Sequence, residues 1–146
     1  MTVLEPHPIG IPAPHPTVVS APFWEGCKVG ELRYQRCANG HSIFSPRTRC
    51  RICLSVDLRW ETSAGRGIIY SYTIVWRPQT PAFRTPYAPA IVDLDEGYQM
   101  LADVVGCDHE ELAVGMPVTV EFHPISDEFT LAYFTPRMAR AEATNG

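Results

Sequence analysis

RCANGHSIFSPRTRCRIC, residues 36–53, decides how the first half of this chain folds. Cys50 and Cys53 form a C-x2-C pair, a spacing that lets two thiolates from one tight turn reach the same ion. Upstream, across twelve intervening residues, a single Cys37 answers them. The stretch reads as a two-knuckle metal site from which one thiolate is missing, so its neighbours must decide whether a site remains.

Just before it, ELRYQRC alternates like a strand, with Leu32, Tyr34 and Arg36 facing one way and Arg33, Gln35 and Cys37 the other. That strand delivers Cys37 to a turn at its end, where a first knuckle belongs. Further upstream, SAPFWEGCKVG predicts a short helix. Ser20 stands at the cap and Pro22 in the first turn; Phe23, Trp24 and Cys27 form an apolar stripe, and Gly30 offers a left-handed stop. The segment EPHPIGIPAPHP, residues 5–16, carries proline at positions 6, 8, 12, 14 and 16, which excludes helix and central strand and predicts an extended arm. It reads either as a disordered tail or as an arm lying along a partner subunit, since Ile9 and Ile11 have nothing local to pack on. His7 and His15 are expected in solvent.

From Gly65 the pattern changes to short strands. GRGIIYSYTIVW is rich in β-branched and aromatic residues; YAPAIVDLDEG, YQMLADVVGC, MPVTVEFHPI and DEFTLAYFTP follow. DHEELAVG, between the third and fourth, predicts one helical turn. The fold class expected is mostly β: an N-terminal helix, a zinc-ribbon-like β unit, then a five-stranded barrel of the OB type. The expected division is a Pro-rich arm (1–20), helix and ribbon (21–64), barrel (65–136) and a frayed tail (137–146).

Composition limits the function. The 146 residues are 45% hydrophobic and 19% charged, enough to bury one core, and the net charge of -4 with a pI near 5.7 argues against a surface that neutralises phosphate. The sequence shows neither an apolar run of membrane-spanning length nor the order of a signal peptide, and the expectation is a cytoplasmic protein without membrane or nucleic-acid partner. Cys27 and Cys107 read as small buried hydrophobes. No G-x-S-x-G elbow, P-loop or dinucleotide turn occurs, and no catalytic residue is assigned. Asp93, Asp95 and Glu96 in VDLDEG read as turn chemistry rather than paired acid and base. Tyr70, Tyr72, Trp76 and Phe83, interleaved with Arg77 and Arg84, form either a face able to stack a base and grip phosphates or simply packing. RPQTPAFRTPYAP, residues 77–89, is too apolar at Phe83 and Tyr87 for an idle loop and is a candidate partner surface.

Taken in order, PFWEG, QRC, GHSIF-x-PR, C-x2-C, GRGIIYSYTIVWRP, PAF, PYAPAIVDLDEG, VVGCD and VGMPVTVEF resemble the DUF35 family, over roughly residues 21–136. The resemblance implies a rubredoxin-like zinc ribbon, an OB-fold associated with acyl-CoA, and a small subunit, not catalytic alone, of a lyase (aldolase) or acyltransferase complex. Its partner would be a thiolase-like, sterol-carrier-type enzyme, as in a retro-aldolase of steroid side-chain degradation. A MaoC-like enoyl-CoA hydratase or an acetyltransferase is the variant partner, and an OB-fold nucleic-acid-binding module is the competing class. Tyr72, Trp76, Arg77, Phe83, Arg84 and Tyr87 are the expected ligand or partner contacts.

A typical member carries C-x2-C-G-H where this chain reads Cys37-Ala-Asn-Gly-His41. His41 can fill the vacant place, giving C-x3-H-x8-C-x2-C and a Cys3His set for structural zinc. Three outcomes stay open: zinc on Cys37, His41, Cys50 and Cys53; a metal-free vestige; or three cysteines with water or another group. Leu54, where a glycine commonly follows the second knuckle, counts against metal. Arg47, Arg49 and Arg51 read as solvated loop residues or as groups that meet thiolate or CoA charge.

Overall fold

A computed structural model describes residues 2–137. The tail expected over 137–146 lies outside the described residues except for Arg137.

The helix α1 spans Ala21–Lys28 and buries Phe23, Gly26 and Cys27. Pro22 sits in its first turn, and Gly30 takes φ +81° just past its end, as the sequence pattern requires. Ser20 stands at the cap, but its Oγ accepts from the Thr17 amide at 2.9 Å instead of capping the helix. At Gly26 a Cβ would meet the Arg33 side chain and the Glu31 carbonyl at 2.7 Å, so glycine is what lets α1 lie close on the next strand.

That strand, β1 (Arg33–Cys37), is the centre of a three-stranded antiparallel sheet between β2 (Ser42–Ile43) and β3 (Leu58–Thr62). β3 had no counterpart in the sequence reading. LRWET has mixed polarity, and its strand character comes from pairing all five residues against β1.

The five expected barrel strands are present: β4 (Arg66–Tyr72), β5 (Ala88–Leu94), β6 (Gln99–Val104), β7 (Pro117–Pro124) and β8 (Thr130–Pro136). They close in the order β4-β5-β6-β8-β7. Strict alternation of buried and less buried positions along β5 puts Ala88, Ala90, Val92 and Leu94 inside. The predicted helical turn is a 3₁₀ turn at His109–Glu111. A reciprocal cap starts it: the Asp108 carboxylate accepts from the Glu110 amide, and Glu111 accepts from the Asp108 amide, both at 2.8 Å. Closure is thin at one seam, where β6 and β8 run parallel and pair only at Val104↔Phe134.

One apolar core runs through α1, β1 and the barrel, from Phe23 and Tyr34 to Ile69, Val92, Val118 and Phe134. The outer end of the ribbon has a separate small cluster of Cys37, Ile43 and Cys50. The two parts are joined by Tyr98, stacked on Tyr34 at 4.8 Å and on Phe44 at 5.5 Å, and by Glu96. The Glu96 carboxylate accepts from the Ser63 hydroxyl at 2.6 Å and the Ala64 amide at 2.7 Å, while its carbonyl accepts from Ser42 Oγ at 2.6 Å. VDLDEG is thus turn structure that also ties ribbon to barrel.

The start of the arm packs on its own barrel, which departs from the disordered tail expected. Leu4 is buried, exchanges backbone hydrogen bonds with Cys107 and Gly106 at 2.8 Å, and follows a bridge between Val3 and Asp108. His7 is buried as well, against the expectation of solvent. A short apolar anchor, Leu4, and His7, whose ring and amide together meet three hydrogen-bond partners, hold the arm to its own barrel. Ile9 and His15 remain exposed.

A candidate metal centre and an apolar opening in the barrel

The turn after β1 and the loop before β3 bring Cys37, His41, Cys50 and Cys53 together, with all four ligand atoms within 4.8 Å of one another. A tetrahedral zinc with Zn–S near 2.3 Å and Zn–N near 2.05 Å has edges of about 3.8 Å between sulfurs and about 3.6 Å between sulfur and nitrogen. Here Cys37 Sγ lies 3.7 Å from Cys53 Sγ, and His41 Nδ1 lies 3.4 Å from Cys37 Sγ and 3.6 Å from Cys50 Sγ. The donor set and its spacing fit structural zinc, with His41 in the fourth place and no position left for substrate. The metal would hold the two knuckles together; the residues that bear it do no chemistry on a substrate.

Two substitutions in the motif are absorbed locally. Leu54 adopts φ +66°, the left-handed conformation that glycine would take, so the knuckle keeps its path with some backbone strain. Leu54, expected to count against metal, does not keep the four ligand atoms apart. Asn39, in the shortened first knuckle, donates from Nδ2 to Cys53 Sγ at 3.2 Å. That bond, helped by the Ser55 amide, draws the Cys53 thiol down to about 6 and favours the thiolate that a metal requires. Arg47, Arg49 and Arg51 are exposed around this end.

The six expected contact residues fall into two groups. Tyr72 and Trp76 lie by the 3₁₀ turn: Tyr72 donates to the Leu112 carbonyl at 3.0 Å, and Trp76 meets His109 edge-on at 4.9 Å. Arg77 is exposed beside them. Phe83, Arg84 and Tyr87 instead gather around His7. The His7 ring packs edge-on against Phe83 at 5.2 Å and Tyr87 at 4.7 Å. Its Nδ1 accepts from the Arg84 amide at 3.0 Å, its Nε2 lies 2.9 Å from Asp103 Oδ2, and its amide donates to Tyr133 Oη at 3.1 Å. Arg84 also donates to the Pro6 carbonyl at 3.1 Å.

These contacts roof a cavity of about 600 Å³ that the sequence reading missed. It lies over the thin seam of the barrel. β6 supplies Met100, Leu101, Ala102 and Asp103, and β8 supplies Leu131, Ala132 and Tyr133. Phe23 and Trp24 of α1 form one wall, Phe44 and Pro46 another, and His7 and Ile11 of the arm the roof. No lysine or arginine among the described residues lines it. The arm's pattern of Leu4 followed three residues later by His7 was the available signal, hidden among prolines.

Cys27 and Cys107 are not poised thiols. Burial pushes Cys27 up to about 12 and raises Cys107, whose neighbours Glu111 and Asp108 add to the effect. No helix among the described residues is long and apolar enough to cross a membrane.

Two domain families match in tandem: the ChsH2 rubredoxin-like zinc ribbon domain over residues 24–59 and the ChsH2 C-terminal OB-fold domain over residues 60–123. The chain is 36% identical over 125 residues to the "Probable enoyl-CoA hydratase alpha subunit" of Thermomonospora curvata, covering 83% of this chain and 39% of the relative. It is 35% identical over 105 residues to the "3-oxo-4,17-pregnadiene-20-carboxyl-CoA hydratase alpha subunit" of Mycobacterium tuberculosis, covering 72% of this chain and 34% of the relative. It thus spans well under half the length of these two. A solved structure described as "Ltp2-ChsH2(DUF35) aldolase" contains a chain that superposes with a TM-score of 0.79 at 34% identity, over 85% of this chain and 98% of that one.

Proposed function

The chain belongs to the DUF35 family in its ChsH2-type form, a rubredoxin-like zinc ribbon followed by an OB-fold, and from that premise we propose that it is a non-catalytic accessory subunit of a thiolase-like enzyme acting on acyl-CoA thioesters. The observation that carries the reading is the match to one chain of a two-component aldolase over 98% of that chain's length. A retro-aldolase of steroid side-chain degradation is the setting it favours. The polar clusters of this chain agree with a supporting role. His7 is held at both ring nitrogens, the carboxylate of Glu96 ties ribbon to barrel, and the Cys and His cluster suits a closed metal site.

The docking face in this reading is the outer side of β4 with the adjoining loop. Tyr70 and Trp76 are 56% and 61% exposed there, with Ile68 and Tyr72 beside them. Trp76 is the better probe than Phe83, which is half-buried against the arm. Co-expression with a thiolase-like enzyme of the sterol-carrier type, followed by size-exclusion chromatography with light scattering, should give a stoichiometric complex. Trp76→Asp should weaken it by at least about 2 kcal/mol, the threshold of an interface hot spot. Two separate species in the wild-type sample would defeat the reading.

The hydratase names of the two relatives favour a second reading, an accessory to an enoyl-CoA hydratase. The same chromatography with a MaoC-like partner separates the two.

A further inference from the structure

The cavity at the β6/β8 seam is completed by parts outside the matched domains, residues 24–123: His7 and Ile11 of the arm, Phe23 of α1, and Leu131, Ala132 and Tyr133 of β8. We propose that this opening binds the neutral, apolar body of a small ligand carrying one hydroxyl or similar donor, seated between β6 and β8 and anchored at Asp103. The inference concerns this chain alone and does not depend on which enzyme it accompanies.

Four observations lead to it. First, the opening is a property of the barrel. Only Val104↔Phe134 joins the two strands, so the backbone groups that β6 turns towards β8 below Val104 have no strand partner, and the gap lies beside apolar side chains. Second, its volume of about 600 Å³ falls within the range of roughly 300–1,000 Å³ in which small molecules are enclosed. Third, the walls are mostly aromatic and aliphatic and hold no lysine or arginine among the described residues, which disfavours a phosphate or carboxylate as the buried part. Arg84 is no exception, because it is exposed and reaches Glu5 and the Pro6 carbonyl. Fourth, one polar anchor is built in. His7 holds Asp103 through Oδ2 alone, and among the described residues no protein donor engages Oδ1. A ligand hydroxyl is the donor such an oxygen accepts from.

Such a body can arrive free, as a hydroxylated ring system or alcohol, or as the acyl group of a CoA thioester whose charged carrier stays outside. Both sources share the chemistry, and three probes separate them: testosterone as a rigid body with one hydroxyl, 1-decanol as a flexible one, and 10-hydroxydecanoyl-CoA, with CoA alone as competitor. The experiment uses the full-length, zinc-loaded chain, isotope-labelled for NMR at the methyl groups of Ile11, Ala102, Leu131 and Ala132. At least one probe is expected to shift these methyls saturably while leaving Val56 and Val114 unmoved. Binding by testosterone or 1-decanol assigns a free ligand. Binding by 10-hydroxydecanoyl-CoA that excess CoA does not displace assigns an acyl group.

Ala102→Trp should fill the space and weaken binding at least tenfold. Leu131→Trp is the second filling variant if the first does not fold, and circular dichroism reports folding in both. Asp103→Asn, with the hydroxyl removed from the probe as a parallel arm, should weaken the hydroxylated probes more than their deoxy counterparts. Three saturating titrations that leave the four methyls unmoved, or binding indifferent to a folded filling variant, overturn the proposal. Assembly with a partner, read by chromatography of Ala102→Trp, is expected to be unchanged, so the accessory reading and this one fail separately.

Discussion

The ribbon tip and the barrel are stabilised in opposite ways, although they share one chain and meet through Tyr98. The barrel closes around an apolar core that includes Ile69, Val92, Val104, Val118 and Phe134, each almost wholly buried. The tip has a cluster of only Cys37, Ile43 and Cys50 beneath its knuckles, too little apolar surface to repay ordering two loops. A metal is what such a tip needs. The difference teaches where sensitivity to chemistry and to packing should separate.

The largest effect is expected from the metal. Zinc analysis should give about one ion per chain, and Cys50→Ser or a strong chelator should melt residues 36–58 while the barrel persists. Structural zinc binding supplies on the order of 10 kcal/mol in small domains. Hydrogen exchange resolved by residue checks this, and a ribbon tip that stays protected without metal would erase the contrast. Because thiolates and neutral imidazole are the binding forms, metal should also be lost as pH falls.

Phe134→Ala should strike the other side of the comparison. Phe134 is fully buried at the only β6–β8 pairing, and the truncation should cost about 3–5 kcal/mol by denaturant unfolding, with the zinc content of the folded fraction unchanged.

Leu54→Gly is a gain. Releasing a non-glycine residue from φ +66° should stabilise the metal-loaded tip by about 1 kcal/mol, read as slower zinc loss to chelator, without altering barrel unfolding.

The smallest effect concerns the arm. The amides of Glu110 and Thr2 hold the Asp108 carboxyl below its ordinary range. A carboxyl lowered in the folded state contributes stability that is present above its unfolded pKa and is lost as pH falls through the folded value. The Thr2 and Leu4 amides should therefore lose protection, read as exchange relative to the intrinsic rate at the same pH, in mild acid and in Asp108→Ala at neutral pH, ahead of any change in the ribbon. Unaltered exchange there would mean that other contacts anchor the arm.

Much of this was legible in sequence because it is local. Alternation placed β4 to β8, Pro22 and Gly30 bounded α1, and C-x3-H-x8-C-x2-C named the four candidate ligands that the fold brings together. What escaped depends on partners distant in sequence. β3 exists because β1 lies beside it. His7 is buried because Asp103 and Tyr133, about a hundred residues away, meet it, and a Pro-rich neighbourhood looks solvated whichever way its one ring turns. The seam between β6 and β8 is a matter of strand divergence, which side-chain periodicity does not record. The six expected contact residues split because a proline-containing loop turns back between Trp76 and Phe83.

Under the proposed function this chain supports an enzyme and does not perform the reaction itself. The most direct measurement is acyl-CoA turnover by the chain alone, by the thiolase-like partner alone, and by their purified complex. The account predicts activity that is full in the complex, weak or unstable in the partner alone and absent from this chain. Turnover by the isolated chain, or a partner equally active and stable without it, would contradict the claim.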